Sequence, residues 1–216
     1  MPGYRLQRPP LQMGLYLITP DEPDVERLFA RTMPLLRFAS CLQLRNKAMA
    51  GSALADVGPR LRAACADARV PFIVNDDPHL ARELDADGVH LGEHDGGIAE
   101  ARALLGDGAI VGVSCYDSLQ RARDAAAAGA DYIAFGAFFP SPTKPDARRA
   151  SPGLLSECAA LGLPRVAIGG ITPDNARSLV DAGADLVAAI SGVFDAPDPI
   201  LAARAYLSCF EEHANA

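Results

Sequence analysis

The chain has 216 residues, half of them hydrophobic, which is enough to bury one large core and points to a single domain. Charged residues make up 22% and no polar low-complexity tract occurs, so a disordered chain is excluded. The net charge of −7, the aromatic content of 6% and the lack of any basic stripe exclude a nucleic-acid-binding surface; the acidity reads as solubility.

Residues 1–12 are Pro-rich and read as an N-terminal arm, leaving 13–216 as the folded domain. The opening Met1-Pro2-Gly3-Tyr4-Arg5-Leu6 lacks the apolar core of a signal peptide, and no apolar run reaches membrane-spanning length. Eight strand-like runs follow, near 14–19, 40–45, 71–75, 88–92, 109–114, 132–137, 165–169 and 186–191. Helical stretches follow each, near 23–37, 52–68, 78–85, 98–105, 118–128, 153–161, 174–182 and 198–212. The strands are short and apolar on both faces, as buried parallel strands are. Helix starts carry capping chemistry at Asp76-Asp77-Pro78, Asp117-Ser118 and Thr172-Pro173-Asp174. Eight alternating units predict an α/β fold, a single-domain (β/α)8 TIM barrel. An open doubly wound sheet is the rival, but it calls for a Gly-rich first turn, and this chain has Thr19-Pro20-Asp21-Glu22-Pro23 there.

One local pattern recurs: Leu84-Asp85-Ala86-Asp87, Ala128-Gly129-Ala130-Asp131 and Ala182-Gly183-Ala184-Asp185, each followed at once by a short apolar run. In the last two, Gly is placed to stop a helix in the left-handed conformation. Cys41, Cys65, Cys115, Cys158 and Cys209 are scattered without a C-x-x-C pair, which reads as reduced thiols in a cytoplasmic protein.

Active sites of such barrels lie at the C-terminal strand ends. The second strand ends in Gln43, Arg45 and Lys47 at alternate positions; burying these polar groups side by side is costly unless they meet a ligand or pair with acids in the barrel mouth. The third ends in Asn75-Asp76-Asp77 and the fourth in Gly92-Glu93-His94-Asp95, so Asp76 and Asp95 are placed to share one cation. Two carboxylates beside Arg45 and Lys47 suit Mg²⁺ with phosphate oxygens completing its shell. Asp77 also reads as a helix cap, and Asp95 offers the same alternative. Ser114, after the fifth strand, is a hydrogen-bond donor or a turn residue, and Cys115 is a packing residue because no His stands beside it. The longest loop, 138–152, carries Ser141, Thr143 and Lys144 among prolines, either a phosphate clasp or a solvated turn. Gly169-Gly170 and Ile190-Ser191-Gly192 end the last two strands, where barrels often take a phosphate on backbone N–H groups; tight strand–helix packing is the alternative. His94 reads as a rim residue and His90 as a satisfied core histidine.

Together these segments resemble the thiamine phosphate synthase family, in order along residues 14–195. The resemblance rests on Gln43-Leu44-Arg45-Asn46-Lys47, Val74-Asn75-Asp76-Asp77, Gly88 to Asp95, Gly112-Val113-Ser114, Phe139 to Lys144, Ile168-Gly169-Gly170-Ile171 and Ile190-Ser191-Gly192. It implies a transferase that joins 4-amino-2-methyl-5-hydroxymethylpyrimidine diphosphate to 4-methyl-5-(2-phosphoethyl)thiazole, with diphosphate leaving first. It implies Mg²⁺ on Asp76 and Asp95, and diphosphate on Arg45, Lys47, Asn75, Ser114 and Lys144. Gln43 would meet the pyrimidine, Ser141 and Thr143 the thiazole, and Gly170, Ile190 and Ser191 the thiazole phosphate. Asn46 and Glu93 depart from the family's usual Glu and Gln, and Glu93 adds charge beside the metal site. The expected partners are these small molecules, without nucleic acid or membrane, and a homodimer is left open. A thiazole tautomerase-like enzyme and a non-catalytic phosphate-binding barrel are the alternatives; the tautomerase group is expected to carry a His where Ala137 follows Phe135-Gly136.

Overall fold

The computed structural model describes residues 11–49, 51–140 and 148–211. Its strands are β1 Gly14–Ile18, β2 Ala39–Leu44, β3 Phe72–Asn75, β4 Gly88–Leu91, β5 Ile110–Tyr116, β6 Tyr132–Phe135, β7 Arg165–Ile168 and β8 Leu186–Ala189. All pair in parallel and in chain order, and β8 closes onto β1. The expected eight-stranded barrel is therefore present. The helices are α1 Val25–Thr32, α2 Gly51–Ala68, α3 Pro78–Glu83, α4 Ile98–Leu105, α5 Leu119–Ala127, α6 Gly153–Glu157, α7 Pro173–Asp181, α8 Ser191–Phe194 and α9 Pro199–Glu211.

Several boundaries differ from the sequence reading. The expected helix 23–37 is α1 followed by a 3-10 turn, Met33–Phe38, because Pro34 has no N–H to continue the α-helical ladder. The expected helix 153–161 likewise divides into α6 and a 3-10 turn, Ala159–Leu161. β2 ends at Leu44, β6 at Phe135 and β8 at Ala189, each shorter than expected, and Ser191 starts a helix instead of ending a strand. Residues 1–10 of the expected arm lie outside the described residues.

The strand alternation builds two cores. Leu15, Leu17, Leu42, Val74, Val89, Val111, Ile133 and Val187 face the helices. Tyr16, Ile18, Cys41, Ile73, Ile110, Tyr132, Val166 and Leu186 fill the barrel itself. Gly112 is part of this filling: a side chain there would run into the Tyr132 ring.

The recurring Gly-Ala-Asp pattern has one structure in all three copies. Each copy stops a helix with a left-handed residue, Gly129 at φ 86° and Gly183 at φ 104°, while Asp85 takes the same place at φ 49° without being glycine. The next N–H closes the helix end: Ala86, Ala130 and Ala184 donate to the carbonyls of Ala81, Ala125 and Leu179. Then the aspartate turns back to the preceding strand. Asp87, Asp131 and Asp185 accept the N–H of Phe72, Val111 and Arg165 at 2.9, 2.7 and 2.8 Å. Phe72 and Arg165 start their strands and Val111 is second in its own, so each aspartate satisfies a strand-end N–H and staples two neighbouring strands at the bottom of the barrel.

Candidate active site

The strand ends of the opposite pole open into a cavity of about 660 Å³. Its lining includes Gln43, Arg45, Lys47, Asn75, Asp76, Asp95, Ser114, Gly170, Ile190 and Ser191. Ten of the residues singled out from the sequence thus meet in one space. Ser141, Thr143 and Lys144 lie outside the described residues.

The β1 and β2 ends fix the cationic wall. The Thr19 hydroxyl donates to the Arg45 carbonyl at 2.7 Å and accepts the Arg45 N–H at 2.9 Å, tying the two strand ends together. Asp21 accepts the Arg45 guanidinium at 3.1 Å and the Lys47 N–H at 2.7 Å. Burial alone would raise the Asp21 carboxyl, but that N–H and the guanidinium outweigh it and hold it below its ordinary value. Both readings of Gln43, Arg45 and Lys47 therefore apply: they face the cavity, and Arg45 also has an acid partner. Asn46 faces the other way, donating to the Glu22 carbonyl at 2.6 Å.

Asp76 stands where β3 turns. Its φ of 65° lies in the left-handed region that Asp tolerates better than most residues and that carries strain. Its N–H donates to the His90 carbonyl at 2.8 Å, which anchors the turn to β4. The turn carries the side chain into the cavity to meet that of Asp95. Burial, then the hydrogen bond and charge of Asp95, push the Asp76 carboxyl up to about 6, against the smaller pull of Asn75 and Lys47. Asp95 accepts the Gly92 N–H at 2.8 Å, which orients it. Asp77 is the cap of α3, accepting from the N–H groups of His79 and Leu80. Among the described residues no group of three or more His, Cys, Asp or Glu side chains is placed to hold a metal. Asp76 and Asp95 would suit a Mg²⁺ that takes waters and phosphate oxygens as its other ligands.

Glu93 does not leave the extra negative charge beside this pair that its sequence position implied. It pairs with Arg121 at 3.1 Å and Arg148 at 2.8 Å, and both guanidinium groups stack on Tyr116. Tyr116 and Arg148 border the cavity and were not singled out from the sequence. Arg148 sits in a loop, where no periodicity marks it, and Tyr116 is one aromatic among many.

The far wall is backbone. Gly170, at φ 64°, packs so closely under the carbonyls of Phe139 and Pro140 that a side chain there would collide with both. Ser191 and Gly192 open α8, and a side chain at position 192 would strike the Tyr206 hydroxyl and the Ile171 carbonyl. The apolar floor between the two walls is formed by Ile18, Val166, Ile168 and Ile190.

His90 lines the same cavity, yet it is buried and hydrogen-bonded on both ring nitrogens, as a core histidine is. Burial lowers its pKa to about 4, with Asp95 opposing, so the ring is neutral at pH 7. Cys115 is buried and its thiol is pushed up to about 12, mainly by burial, which matches its reading as packing.

The family model described as thiamine monophosphate synthase matches residues 15–193. A thiamine-phosphate synthase of Xanthomonas campestris pv. campestris is 58% identical over 199 residues, spanning 92% of this chain and 96% of its own length. One from Azoarcus sp. is 55% identical, spanning 91% and 97%. The solved thiamine phosphate pyrophosphorylase of Pyrococcus furiosus superposes with a TM-score of 0.82 at 33% identity, over 94% of this chain and 97% of that one.

Proposed function

The chain belongs to the thiamine monophosphate synthase family, a family of transferases, and from that premise we propose the reaction it runs. It couples 4-amino-2-methyl-5-hydroxymethylpyrimidine diphosphate with 4-methyl-5-(2-phosphoethyl)thiazole, giving thiamine phosphate and diphosphate. The observation that carries this reading is the meeting of Asp76 and Asp95 in the same cavity as Arg45 and Lys47, across from the Gly169-Gly170 backbone. One side suits a metal-bound diphosphate and the other a second phosphate.

In this reading Asp76 and Asp95 hold Mg²⁺. Bound there, Mg²⁺ would neutralise the charge that grows on the departing diphosphate. Arg45, Lys47, Asn75 and Ser114 bind the same oxygens, and by family similarity Lys144 joins them. Gln43 presents its amide to the pyrimidine. Gly170, Ile190 and Ser191 take the thiazole phosphate, with Ser141 and Thr143 on the thiazole side by similarity. The bond from the pyrimidine methylene to diphosphate breaks first, and the thiazole nitrogen then attacks the resulting cation. The chain supplies no nucleophile to this reaction; the isoleucine floor keeps water from the cation and the two walls hold the partners together. Ala137 lines the cavity where the tautomerase group is expected to have His, so no imidazole stands there to move a thiazole proton. Five free cysteines, all buried, accord with a cytoplasmic setting.

The test is an assay with both substrates and Mg²⁺, following diphosphate release. Stoichiometric diphosphate and thiamine phosphate are expected. Thiazole isomerisation without coupling, or ligand binding without turnover, would refute the proposal.

A further inference from the structure

A continuous chain of hydrogen bonds crosses the barrel along the cavity, which Gln43, Tyr16, His90 and Ser114 line. Gln43 Nε2 donates to the Tyr16 hydroxyl at 2.9 Å. The Tyr16 and Tyr132 hydroxyls are 2.7 Å apart. Tyr132 Oη lies 2.9 Å from His90 Nδ1, and His90 Nε2 lies 2.9 Å from Ser114 Oγ. Gln43, Tyr16, Tyr132 and His90 are all buried, and the rings hold one another in place: His90 stacks on Tyr132 at 20°, and Tyr16 meets Tyr132 edge-on at 67°.

Each hydroxyl has one hydrogen and two acceptor lone pairs, so the first donor sets the direction of the later bonds when each hydroxyl spends its hydrogen on the next member of the chain. In that order Tyr16, which also meets the Cys41 thiol, accepts from Gln43 and donates to Tyr132. Tyr132 then donates to His90 Nδ1. A neutral imidazole that accepts on Nδ1 carries its proton on Nε2, and that N–H donates to Ser114 Oγ. Among the described residues the Ser114 hydroxyl has no other partner, and Ser114 borders the cavity.

We propose that His90 is a positioning residue: the buried chain fixes its Nε2–H tautomer, and this donor turns the Ser114 hydroxyl hydrogen outward to an anionic oxygen of the substrate. With the opposite tautomer Ser114 would spend its hydrogen on His90 and face the substrate as an acceptor, repelling a diphosphate oxygen. The chain thereby links the amide that meets the pyrimidine to the hydroxyl that meets its leaving group. This rests on the assignment of Ser114 to the diphosphate.

Two measurements on the full-length protein test it. In histidine-labelled protein, ¹⁵N NMR should show His90 with Nε2 protonated and Nδ1 bare, and Tyr132→Phe, which removes the donor to Nδ1, should mix the tautomers. A His90 proton on Nδ1 in the unsubstituted protein overturns the proposal. In coupling assays His90→Gln, which keeps a donor near the Nε2 position, should retain most of kcat, while His90→Phe should lose on the order of tenfold with KM little changed. Added to Ser114→Ala, His90→Phe should cost less than about twofold more, because it acts through that hydroxyl. Losses that multiply would overturn it. A chain without coupling activity that still shows the Nε2–H tautomer would refute the functional reading and leave the hydrogen-bond order standing.

Discussion

Asp76→Asn is expected to abolish coupling while making the ligand-free protein more stable at neutral pH. In the unfolded chain an Asp titrates near its ordinary value of 3.8, whereas Asp76 in the fold titrates near 6. Between those values the folded chain holds more protons than the unfolded one, so stability falls as pH rises through that window. The full difference corresponds to ~3 kcal/mol at 1.36 kcal/mol per pH unit. Asp76 is only half-buried, and solvent screening reduces the figure to about 1 kcal/mol. Asn mimics the neutral carboxyl, so the substitution should recover about 1 kcal/mol above roughly pH 7 and almost none near pH 4. Urea unfolding at these two pH values, without divalent cation, measures this. Coupling should fall by at least about 100-fold if, as proposed, Asp76 is a ligand of the charge-neutralising Mg²⁺. Adding Mg²⁺ should then stabilise the unsubstituted protein and leave the variant unmoved. A variant that is less stable at neutral pH, or whose gain is the same at both pH values, would show that Asp76 and Asp95 do not crowd one another and would remove the basis for a shared cation.

The same titration predicts that apparent Mg²⁺ affinity weakens as pH falls below about 6, where the raised Asp76 carboxyl takes up its proton; isothermal titration at pH 5 and pH 7.5 reads it. Arg45→Lys should still cost on the order of tenfold or more in kcat/KM, because Asp21 grips the guanidinium Nη1 with both oxygens and a lysine cannot reproduce that geometry. Gly170→Ala should lower stability by ~1–3 kcal/mol, from its positive φ and the carbonyls packed above it, and should raise KM for the thiazole phosphate more than for the pyrimidine diphosphate. Asp185→Ala should cost about 1–3 kcal/mol in denaturant unfolding with kcat unchanged, since it leaves the Arg165 backbone N–H and Nε without their acceptor at the pole away from the chemistry.

Strand number and order were legible because each strand is a short apolar run bounded by a helix stop and a cap. Asp77 and Ser118 cap α3 and α5 with their side chains, and Thr172 stands at the N-cap of α7, its N–H donating to Asn175 Oδ1. The end of α1 was misread because its apolar spacing continues through a 3-10 turn, and α8 has only four residues, too few to show a period. At the site, Gln43, Arg45, Lys47, Asp76 and Asp95 were legible as polar residues at the ends of apolar strands. Tyr16 and Tyr132 were not, because within a strand a tyrosine that fills the core and one that passes on a hydrogen bond have the same pattern. The neutralisation of Glu93 was also hidden, since its arginines come from positions 28 and 55 residues further along the chain.

The three aspartate staples give the barrel seams. Asp87 binds β3 to β4, Asp131 binds β5 to β6, and Asp185 binds β7 to β8, each across 15 to 20 residues of chain. No such staple joins β4 to β5 or β6 to β7 among the described residues. The staples thus mark three two-strand blocks whose closures are local in sequence, and Gly14 donates to the Asp185 carbonyl where β1 meets β8. Chain ends moved by circular permutation into the β4–β5 connection would keep all three blocks whole. Ends moved between β3 and β4 would turn a local closure into one spanning nearly the entire chain. Six of the eight strands are therefore fastened in pairs by a side chain, while β1 and β2 carry no such aspartate among the described residues.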